Sequence, residues 1–470
     1  MQARSVHFLV KATGGFLKQG DAAVVVRGIC TDSRRVGTDD AFLAVCGERF
    51  DGHDFIEDAA AKGCRVFVVS RGEKIVFPEN AAVIVVKDTV EAYLRIAAAY
   101  RAEFPRVEVI AVCGSNGKTS TKDLTTSVLG AVAGREKVLS NARSFNNHIG
   151  VPETLLQLHE NHRFAVIEVG TNHPGELKRL LDVVAPKYGI LSSIGCEHLE
   201  FFKDLDGVVE EEGTIAEVLP VGGTLFLNGD VYGADRILAR LKQGVNVVQI
   251  GDGKGANYSG RVLELSPSGT RFEVSRGDVG FVGMECCVQA VGSHFVTNGL
   301  LALAVGAFFG VNVTDAKIAL ARCSASEMRA ELLRVGAFFV LKDCYNANLD
   351  SMRGALNSLV HLDCKKGCRK VAILGTMGEL GASAEWAHCE VARDCAKLDI
   401  DVLVFIGKYA EKMEEVYRQS NGVGCVREYA DIEDFLTNIK DTLEDGDCIL
   451  VKASRAERFE RVVERMGEIA

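Results

Sequence analysis

A short loop rich in glycine and hydroxyl side chains carries the strongest chemical signal in the sequence. Residues 113–121 read C-G-S-N-G-K-T-S-T and lie between the apolar run VEVIAVCG and a segment with helical spacing. Glycines let such a backbone close on a phosphate, and a helix N-terminus offers unpaired N–H groups. Lys118 would neutralise the outer phosphates of a nucleotide, and Thr119 would ligate Mg²⁺. Because Val112 replaces the first glycine of the strict pattern, a chance loop rich in Gly and Ser is the alternative.

Carboxylates and a histidine follow two further strand-like runs. FAVIEVG places Glu168 near the end of a strand, and YGILSSIGCEHLE brings Glu197, His198 and Glu200 after the next. Open α/β sheets bind ligands at the carboxyl ends of their strands, where a hard cation prefers oxygen ligands with an occasional imidazole. The pattern indicates a metal site. Taken singly, Glu168 could be a helix cap and His198 a loop histidine.

The elements that must position these groups alternate between strands and helices. This alternation predicts an α/β protein with a largely parallel central sheet, and FFVLKDC, KVAILGT, DVLVFIG and CILVKAS predict a second sheet of doubly wound type. Two alternating runs around Pro-Ser-Gly at 261–277 predict a β-hairpin. We expect three domains: a small α/β domain over 1–104, a central P-loop-type sheet over 105–326, and a Rossmann-like domain over 327–470.

Composition excludes several classes of function. Among 470 residues, 54 are Lys or Arg and 64 are Asp or Glu, so a formal charge of −10 provides no global attraction to nucleic acid or anionic membranes. The longest apolar run, 299–313, is shorter than a membrane span of about 20 residues. Fifteen scattered cysteines form no zinc pattern and are typical of buried thiols in a reducing compartment. We therefore expect a cytoplasmic protein with no nucleic-acid partner and no membrane insertion.

Taken together, the motifs resemble the Mur ligase family of peptidoglycan synthesis over essentially the whole chain. The phosphate loop is followed in the family's order by segments at 144–156, 168–177, 194–202 and 293–302. The N-terminal pattern is echoed in TDSRRV (31–36) and GERFDGHDF (47–55), and VKASR (451–455) lies near the end. DCYNANLDSM (343–352) and LGTMGELG (374–381) resemble the segments of the member that adds D-alanyl-D-alanine.

The resemblance implies an ATP-dependent amide synthesis. The terminal carboxylate of UDP-N-acetylmuramoyl-tripeptide would attack the γ-phosphate of ATP, and the amine of D-alanyl-D-alanine would then displace phosphate from the acyl phosphate. ATP and two Mg²⁺ ions are the implied cofactors, and a monomer is expected. Positioning and charge neutralisation would supply most of the catalysis.

The resemblance also implies roles for residues around the nucleotide. Lys118 would hold the β and γ phosphates, and Arg329 would reach the phosphates when the domains close. Asn298 would contact the adenine and Asp343 the ribose. The implied ATP-binding residues are Gly114, Ser115, Asn116, Gly117, Lys118, Thr119, Ser120, Asn298, Arg329 and Asp343, and the implied catalytic residues are Lys118, Glu168, His198, Glu212 and Arg329.

The implied metal ligands include one departure from the family pattern. Thr119 and Glu168 would hold one Mg²⁺ ion and His198 the second, whereas Glu212 stands where the family often carries a carbamylated lysine. A carboxylate has the same charge as a carbamate, but its side chain is shorter by three atoms, or about 4 Å. We expect Glu212 to serve the second Mg²⁺ through a water or from a closer helix. The alternative is that residues 210–212 are an acidic, solvated helix face.

The residues that would bind the two substrates are assigned by resemblance alone. Ser33 and Arg34 lie in the stretch that resembles the uridine-binding region, and Asn146 and Asn147 would face the muramoyl-peptide. A turn containing two asparagines is an equally good interpretation of the latter pair. In the segment YNAN, the implied contacts to the incoming amine are Asn346 and Asn348.

Three other functions share the same nucleotide loop. They are the ligase that adds the third peptide residue, folylpolyglutamate synthetase, and a catalytically inactive ATP-binding relative. The segments YNAN and LGTMGELG favour the D-alanyl-D-alanine enzyme, and the N-terminal motifs speak against a folate enzyme. The sequence leaves open whether the third peptide residue is lysine or diaminopimelate, and whether D-alanyl-D-lactate is accepted.

Overall fold

The computed structural model describes residues 1–47, 50–71, 75–324, 326–364 and 367–469. Glu48 and Arg49 of the motif GERFDGHDF lie outside the described residues. The chain forms two compact units, the first comprising 1–111, 136–171 and 176–188, and the second 112–135, 172–175 and 189–470. In the described part of the chain, no helix combines the length and apolar character that crossing a membrane requires. The boundaries expected after residues 104 and 326 stay predictions.

The N-terminal region is a five-stranded sheet with flanking helices. Its strand order is β2-β7-β6-β5-β4, with β2 antiparallel to β7 and the other pairs parallel. Phe42, Phe67 and Val83 lie in its core, whereas the predicted strand AVVVRGIC is divided into two short strands. The elements are β1 (Arg4–Ser5), α1 (Val6–Thr13), β2 (Phe16–Gln19), β3 (Val25–Val26), β4 (Gly28–Cys30), β5 (Asp40–Leu43), α2 (Ile56–Ala61), β6 (Val66–Val69), β7 (Ala82–Val85) and α3 (Thr89–Ala102).

The central sheet has six strands in the order β13-β12-β11-β8-β10-β9. Strands β8 and β10 are almost wholly buried, which explains their continuous apolar runs. The first elements are β8 (Glu108–Cys113), α4 (Lys118–Ala133), β9 (Val138–Ser140), α5 (Gly150–Leu155), β10 (Phe164–Glu168), α6 (Glu176–Val184) and β11 (Tyr188–Leu191). They are followed by α7 (Leu199–Phe202), α8 (Leu205–Glu212), α9 (Thr214–Val218), β12 (Thr224–Asn228), α10 (Ala234–Leu238) and β13 (Asn246–Ile250).

The predicted β-hairpin is confirmed, and a third strand joins it. Strands β14 (Ser259–Ser266), β15 (Gly269–Arg276) and β16 (Glu285–Val288) form an antiparallel sheet in that order. Two helices follow, α11 (His294–Phe308) and α12 (Val313–Arg322), and both pack on α4. The helix that begins at the phosphate loop is therefore supported by α11 and α12.

A close approach between α4 and α11 depends on a residue without a side chain. A Cβ atom on Gly306 would lie 2.4 Å from Cγ1 of Val128. We expect Gly306→Val to overpack this contact and to lower Tm by about 5 °C in differential scanning calorimetry. The loss should be smaller than additive when Val128→Ala is combined with it, because the clash is then relieved. An unchanged Tm in the single variant would contradict the contact.

The C-terminal sheet has six strands in the order β17-β18-β22-β19-β20-β21, and only its edge strand β17 is antiparallel. Val340, Ile373 and Ile449 lie in its core beneath Phe435 and Phe459. The elements are β17 (Glu331–Val335), β18 (Phe338–Lys342), α13 (Leu349–His361), β19 (Lys370–Leu374), α14 (Ala384–Cys395), β20 (Val402–Ile406), α15 (Ala410–Gln419), β21 (Cys425–Tyr429), α16 (Ile432–Asn438), β22 (Cys448–Lys452) and α17 (Glu460–Ile469). This is the doubly wound arrangement that the sequence predicts.

Candidate active site

The phosphate loop connects β8 to α4, as the sequence predicts, and it packs on the loop that follows β11. Gly114 has φ +120°, and a Cβ atom there would lie 2.6 Å from Oγ of Ser192. The N–H of Ser115 donates to the carbonyl oxygen of Ser193 (2.9 Å), and the N–H of Asn116 donates to its hydroxyl (2.7 Å). Only glycine combines this backbone angle with so close a contact, which explains why residue 114 lacks a side chain.

Lys118 is the first residue of α4, and its ammonium group folds back over the loop. Its Nζ contacts the carbonyl oxygen of Gly114, lies 3.3 Å from that of Ser115, and is 3.5 Å from Oε2 of Glu197. The side chain is only 14% exposed. The partly buried ammonium group of Lys118 therefore lies at the N-terminus of a helix, where an anion is favoured.

Glu212, at the end of α8, is a completely buried carboxylate. Its Oε2 accepts the N–H of Gly114 at 2.7 Å. Burial, opposed by the Lys118 ammonium and reinforced by the Glu197 carboxylate, raises the pKa of Glu212 to about 8. The interpretation of residues 210–212 as a solvated face is wrong for Glu212, although the neighbouring Glu210 is exposed.

The environment of Glu197 and Glu212 fits a cation. Oε1 of each carboxylate is buried and has no hydrogen-bond donor among the residues that the structure describes. Nε2 of His198 lies 3.9 Å from Oε2 of Glu197. Within the described ranges no three His, Cys, Asp or Glu side chains gather into a complete metal cage. Mg²⁺ does not need one, because it is commonly held by one or two carboxylates, waters and substrate phosphates.

Glu168 ends β10 in the first compact unit, as predicted from the sequence, and is 1% exposed. Its N–H donates to Oδ1 of Asn141 (2.7 Å), and its Oε1 accepts from Nδ2 of Asn146 (2.8 Å). Its Oε2 is buried without a hydrogen-bond partner among the described residues. Asn147 instead uses Oδ1 to accept the N–H groups that open α5, at 3.0 and 3.1 Å. The turn interpretation therefore describes Asn147, whereas Asn146 orients Glu168.

The predicted adenosine contacts lie at two places in the second unit. Oδ1 of Asn298 would be 2.8 Å from a Cβ atom on Gly117, so this amide borders the start of α4, and its buried Nδ2 has no partner in the described part of the chain. Asp343 follows β18, and its Oδ2 accepts from Nζ of Lys452 at 2.7 Å. The guanidinium of Arg329 lies over the ring of Tyr345 at 4.2 Å. The structure brings the amide of Asn298 to the phosphate loop.

Two residues at the end of β22 organise the C-terminal loops. Nζ of Lys452, which is 2% exposed, also donates to the carbonyl oxygen of Asn346 (3.0 Å). Oγ of Ser454 accepts the N–H of Gly378 (2.7 Å) and donates to the carbonyl oxygen of Ala347 (3.3 Å). The segments YNAN and LGTMGELG are thus both held by VKASR.

The beginning of α13 contacts the phosphate loop. Asn348 caps this helix by accepting the N–H of Ser351 at 2.9 Å, and its Nδ2 donates to Oδ1 of Asn116 at 3.0 Å. Oδ2 of Asp350 accepts the N–H of Cys196 at 2.7 Å. The side chain of Asn348 is therefore engaged in a helix cap and a loop contact, whereas Asn346 is exposed.

We expect Asn348→Ala to destabilise both the first turn of α13 and the phosphate loop, which this side chain contacts. Loss of the cap costs about 1 kcal/mol, which predicts about fivefold faster hydrogen exchange at the first turn of α13. Exchange in the phosphate loop should rise as well, because the bond to Asn116 is lost. The matched control is Asn312→Ala, which removes the cap of α12 and should affect that helix alone. Unchanged exchange at residues 349–352 would contradict the cap.

The first compact unit holds the predicted uridine-region residues. Ser33 is buried, whereas Arg34 is exposed and pairs with both carboxylate oxygens of Asp32 at 2.9 Å. The hydrogen bonds from Arg34 lower the pKa of Asp32 to about 2. Lys62 donates to the carbonyl oxygens of both predicted residues, at 2.8 and 2.7 Å. These hydrogen bonds fix the conformation of residues 32–34, and the predicted role of Ser33 and Arg34 in binding stays a prediction.

Comparison with known proteins identifies the family. A Mur ligase middle domain matches residues 112–306, a Mur ligase glutamate ligase domain 328–455, and a Mur ligase family catalytic domain 25–108. The UDP-N-acetylmuramoyl-tripeptide–D-alanyl-D-alanine ligase of Bacillus subtilis is 32% identical over 94% of this chain and 94% of its own length. The chain belongs to the Mur ligase family.

Solved structures agree with the fold of this Mur ligase. MurF from Acinetobacter baumannii matches it with a TM-score of 0.90 at 28% identity, covering 100% of this chain and 99% of that one. MurF from Thermotoga maritima in complex with ADP matches with a TM-score of 0.79 at 23% identity, covering 94% and 97%. The predicted family and its three-domain α/β fold are confirmed.

Sequence reasoning assigned no role to several residues that organise the site of this Mur ligase. Lys452 and Ser454 lie in the motif VKASR, but neither residue was given a role of its own. Asp350 and Glu379 contact residues more than 150 positions away in the sequence. A lysine at the end of a buried strand is a signal that could have drawn attention to Lys452, because such a cation needs a buried partner. No comparable signal marks Asp350 or Glu379.

Proposed function

We propose that this Mur ligase joins D-alanyl-D-alanine to UDP-N-acetylmuramoyl-tripeptide with hydrolysis of ATP to ADP and phosphate. One observation of the site supports binding of a nucleotide: a partly buried lysine begins the helix after a glycine loop and lies beside two buried carboxylates, those of Glu197 and Glu212. The name of the Bacillus subtilis relative, which aligns over 94% of both chains, supports the substrates. The ADP complex of the Thermotoga maritima fold neighbour supports the nucleotide.

The chain's own residues suit the first chemical step. The tripeptide carboxylate attacks the γ-phosphorus of ATP, the bond from that phosphorus to the β,γ-bridging oxygen breaks, and the products are an acyl phosphate and ADP. Lys118 neutralises the charge that accumulates on the phosphates, from a position fixed by the carbonyl oxygens of Gly114 and Ser115. We assign Arg329 the same task when it approaches the phosphates.

The second step forms the amide. The neutral amine of D-alanyl-D-alanine attacks the acyl carbonyl carbon, the tetrahedral intermediate expels phosphate, and the amine proton passes to solvent or to the departing phosphate. We assign Asn346 and Asn348 to this amine substrate. Ser33 and Arg34 are assigned to the uridine end, and Asn146 and Asn147 to the muramoyl-peptide end.

Divalent cations complete the proposed nucleotide site. We assign one Mg²⁺ to Thr119 and Glu168 and a second to His198 and Glu212, and the unsatisfied oxygens of Glu168, Glu197 and Glu212 support such ligands. Bound Mg²⁺ would supply charge neutralisation on the phosphate oxygens. Glu212 needs no CO₂ to present an oxygen ligand, and a bound cation would favour its ionised form. Asn298 and Asp343 are assigned to adenine and ribose.

Phosphate release tests the proposal. ATP and Mg²⁺ are supplied with UDP-N-acetylmuramoyl-tripeptide, and D-alanyl-D-alanine is added last. Release that requires both substrates, together with a UDP-muramoyl-pentapeptide product, is the expected result. Release with a different amino acid acceptor would favour another Mur ligase activity. A folded protein that binds ATP and releases nothing would indicate an inactive relative. A cytoplasmic location and a monomer are part of the same proposal.

A further inference from the structure

Glu379 adopts a backbone conformation that side chains rarely take. It lies in the segment LGTMGELG between β19 and α14, and its φ is +60°. Outside glycine, the left-handed region is populated mainly by Asn and Asp, because a Cβ atom crowds the following carbonyl oxygen. A glutamate in that region indicates that its carboxylate is needed at this position.

The surrounding loop holds Glu379 in place. The N–H of Met377 donates to Nε2 of the buried His388 at 2.9 Å. The N–H of Gly378 donates to Oγ of Ser454 at 2.7 Å. The two residues before Glu379 are therefore tied to α14 and to the end of β22, so the conformation of Glu379 is set by the C-terminal sheet.

From this loop, Glu379 reaches the segment that follows β11. Its Oε2 lies 2.7 Å from Nδ1 of His198, as an ion-pair contact rather than an aligned hydrogen bond. Its carbonyl oxygen accepts the N–H of Glu200 at 3.2 Å. Two residues later, a Cβ atom on Gly381 would lie 3.0 Å from Cα of Glu200. The loop is therefore seated closely on residues 198–200.

The contact leaves the other ring nitrogen of His198 directed to the site. Nε2 lies 3.9 Å from Oε2 of Glu197, which in turn is 3.5 Å from Nζ of Lys118. The histidine itself has φ +48°, is only 12% exposed in its side chain and opens the short helix α7. A carboxylate at one ring nitrogen fixes the orientation of an imidazole that ligates through the other.

We propose that Glu379 is a positioning residue, which holds the imidazole of His198 with Nε2 available to a divalent cation. Seating of the LGTMGELG loop then completes the cation site from the C-terminal sheet. This inference rests on the proposed function, since it requires that nucleotide and cation bind together. It makes cation binding depend on a residue that contacts neither cation nor nucleotide.

Binding of Mn²⁺, an EPR-active substitute for Mg²⁺, tests the inference in the presence of ADP. Glu379→Gly suits the left-handed backbone and removes the carboxylate, so it should fold with an unchanged Tm. We expect it to weaken Mn²⁺ binding about tenfold. Glu379→Gln keeps an acceptor oxygen and should bind with intermediate affinity. The matched control, Glu385→Gln, removes the same charge from an exposed residue at the start of α14 and should equal the wild type.

A double-mutant cycle separates positioning from general stability. In a His198→Ala background, Glu379→Gly should cause no further loss of Mn²⁺ affinity, because the residue acts only through the imidazole. Wild-type affinity in Glu379→Gly, or additive losses in the double variant, would overturn the inference and leave the proposed function intact. Absence of Mn²⁺ binding in the wild type with ADP would overturn both.

Discussion

Replacing Lys118 with methionine is expected to lower kcat of the ligase reaction by about 10³-fold. The ammonium lies 3.5 Å from Oε2 of Glu197 and 3.3 Å from the carbonyl oxygen of Ser115, and methionine preserves the approximate length of the side chain while it removes the charge. Charge that develops on the phosphates would then lack its main protein counter-charge. The measurement is the rate of product formation at saturating substrates, followed by chromatography.

The matched control for this experiment is Lys137→Met. Lys137 is exposed, lies just before β9, and has no place in the proposed site. Its substitution should leave kcat within twofold of the wild type, because substitutions of exposed residues usually have small effects. A Lys118→Met protein that is folded and retains more than one tenth of the wild-type rate would contradict the role given to this residue.

Glu212→Gln is expected to lower kcat by about 10²-fold and to raise the Mg²⁺ concentration needed for half-maximal rate. Glutamine retains the shape and an oxygen that can accept the N–H of Gly114, so the substitution removes the ionisable carboxyl group rather than packing. The wild-type rate should also be insensitive to added bicarbonate, because a carboxylate needs no carbamylation. Both rates are measured over a range of Mg²⁺ concentrations with and without bicarbonate.

Glu210→Gln provides the comparison on the same helix. Glu210 is exposed, whereas Glu212 is fully buried two residues later. The Glu210 variant should keep the wild-type Mg²⁺ dependence. If Glu210→Gln and Glu212→Gln behaved alike, or if bicarbonate stimulated the wild type severalfold, Glu212 would not be the functional replacement for a carbamylated lysine.

Much of the fold was predictable because buried parallel strands leave a clear pattern. The runs at β8, β10, β19 and β22 are continuously apolar, as required when helices cover both faces of a sheet. Shorter or edge strands were not predicted, including β9, β16, β17 and β21. Partly exposed edge strands carry mixed residues that resemble loops, as in CVREY of β21.

The candidate site was predictable only where its residues are close in sequence. Lys118 and Thr119 follow directly from the glycine loop, and Glu168 follows from a strand end. Burial was the deciding quantity for Glu212, since three adjacent glutamates look equally solvated in the sequence. The contacts Asn116–Asn348 and His198–Glu379 join segments that are distant in the sequence. The types of these residues do not indicate which distant residue each will contact.

The attachment of two loops to the end of β22 restricts how this region can move. One ammonium group, that of Lys452, holds the YNAN segment, and one hydroxyl two residues later holds LGTMGELG. Independent motion of either loop would break a partly buried hydrogen bond at its base. We expect the two loops to move together with the C-terminal sheet, in a collective motion on the microsecond-to-millisecond timescale. We therefore expect YNAN and LGTMGELG to keep their positions relative to each other when the sheet moves.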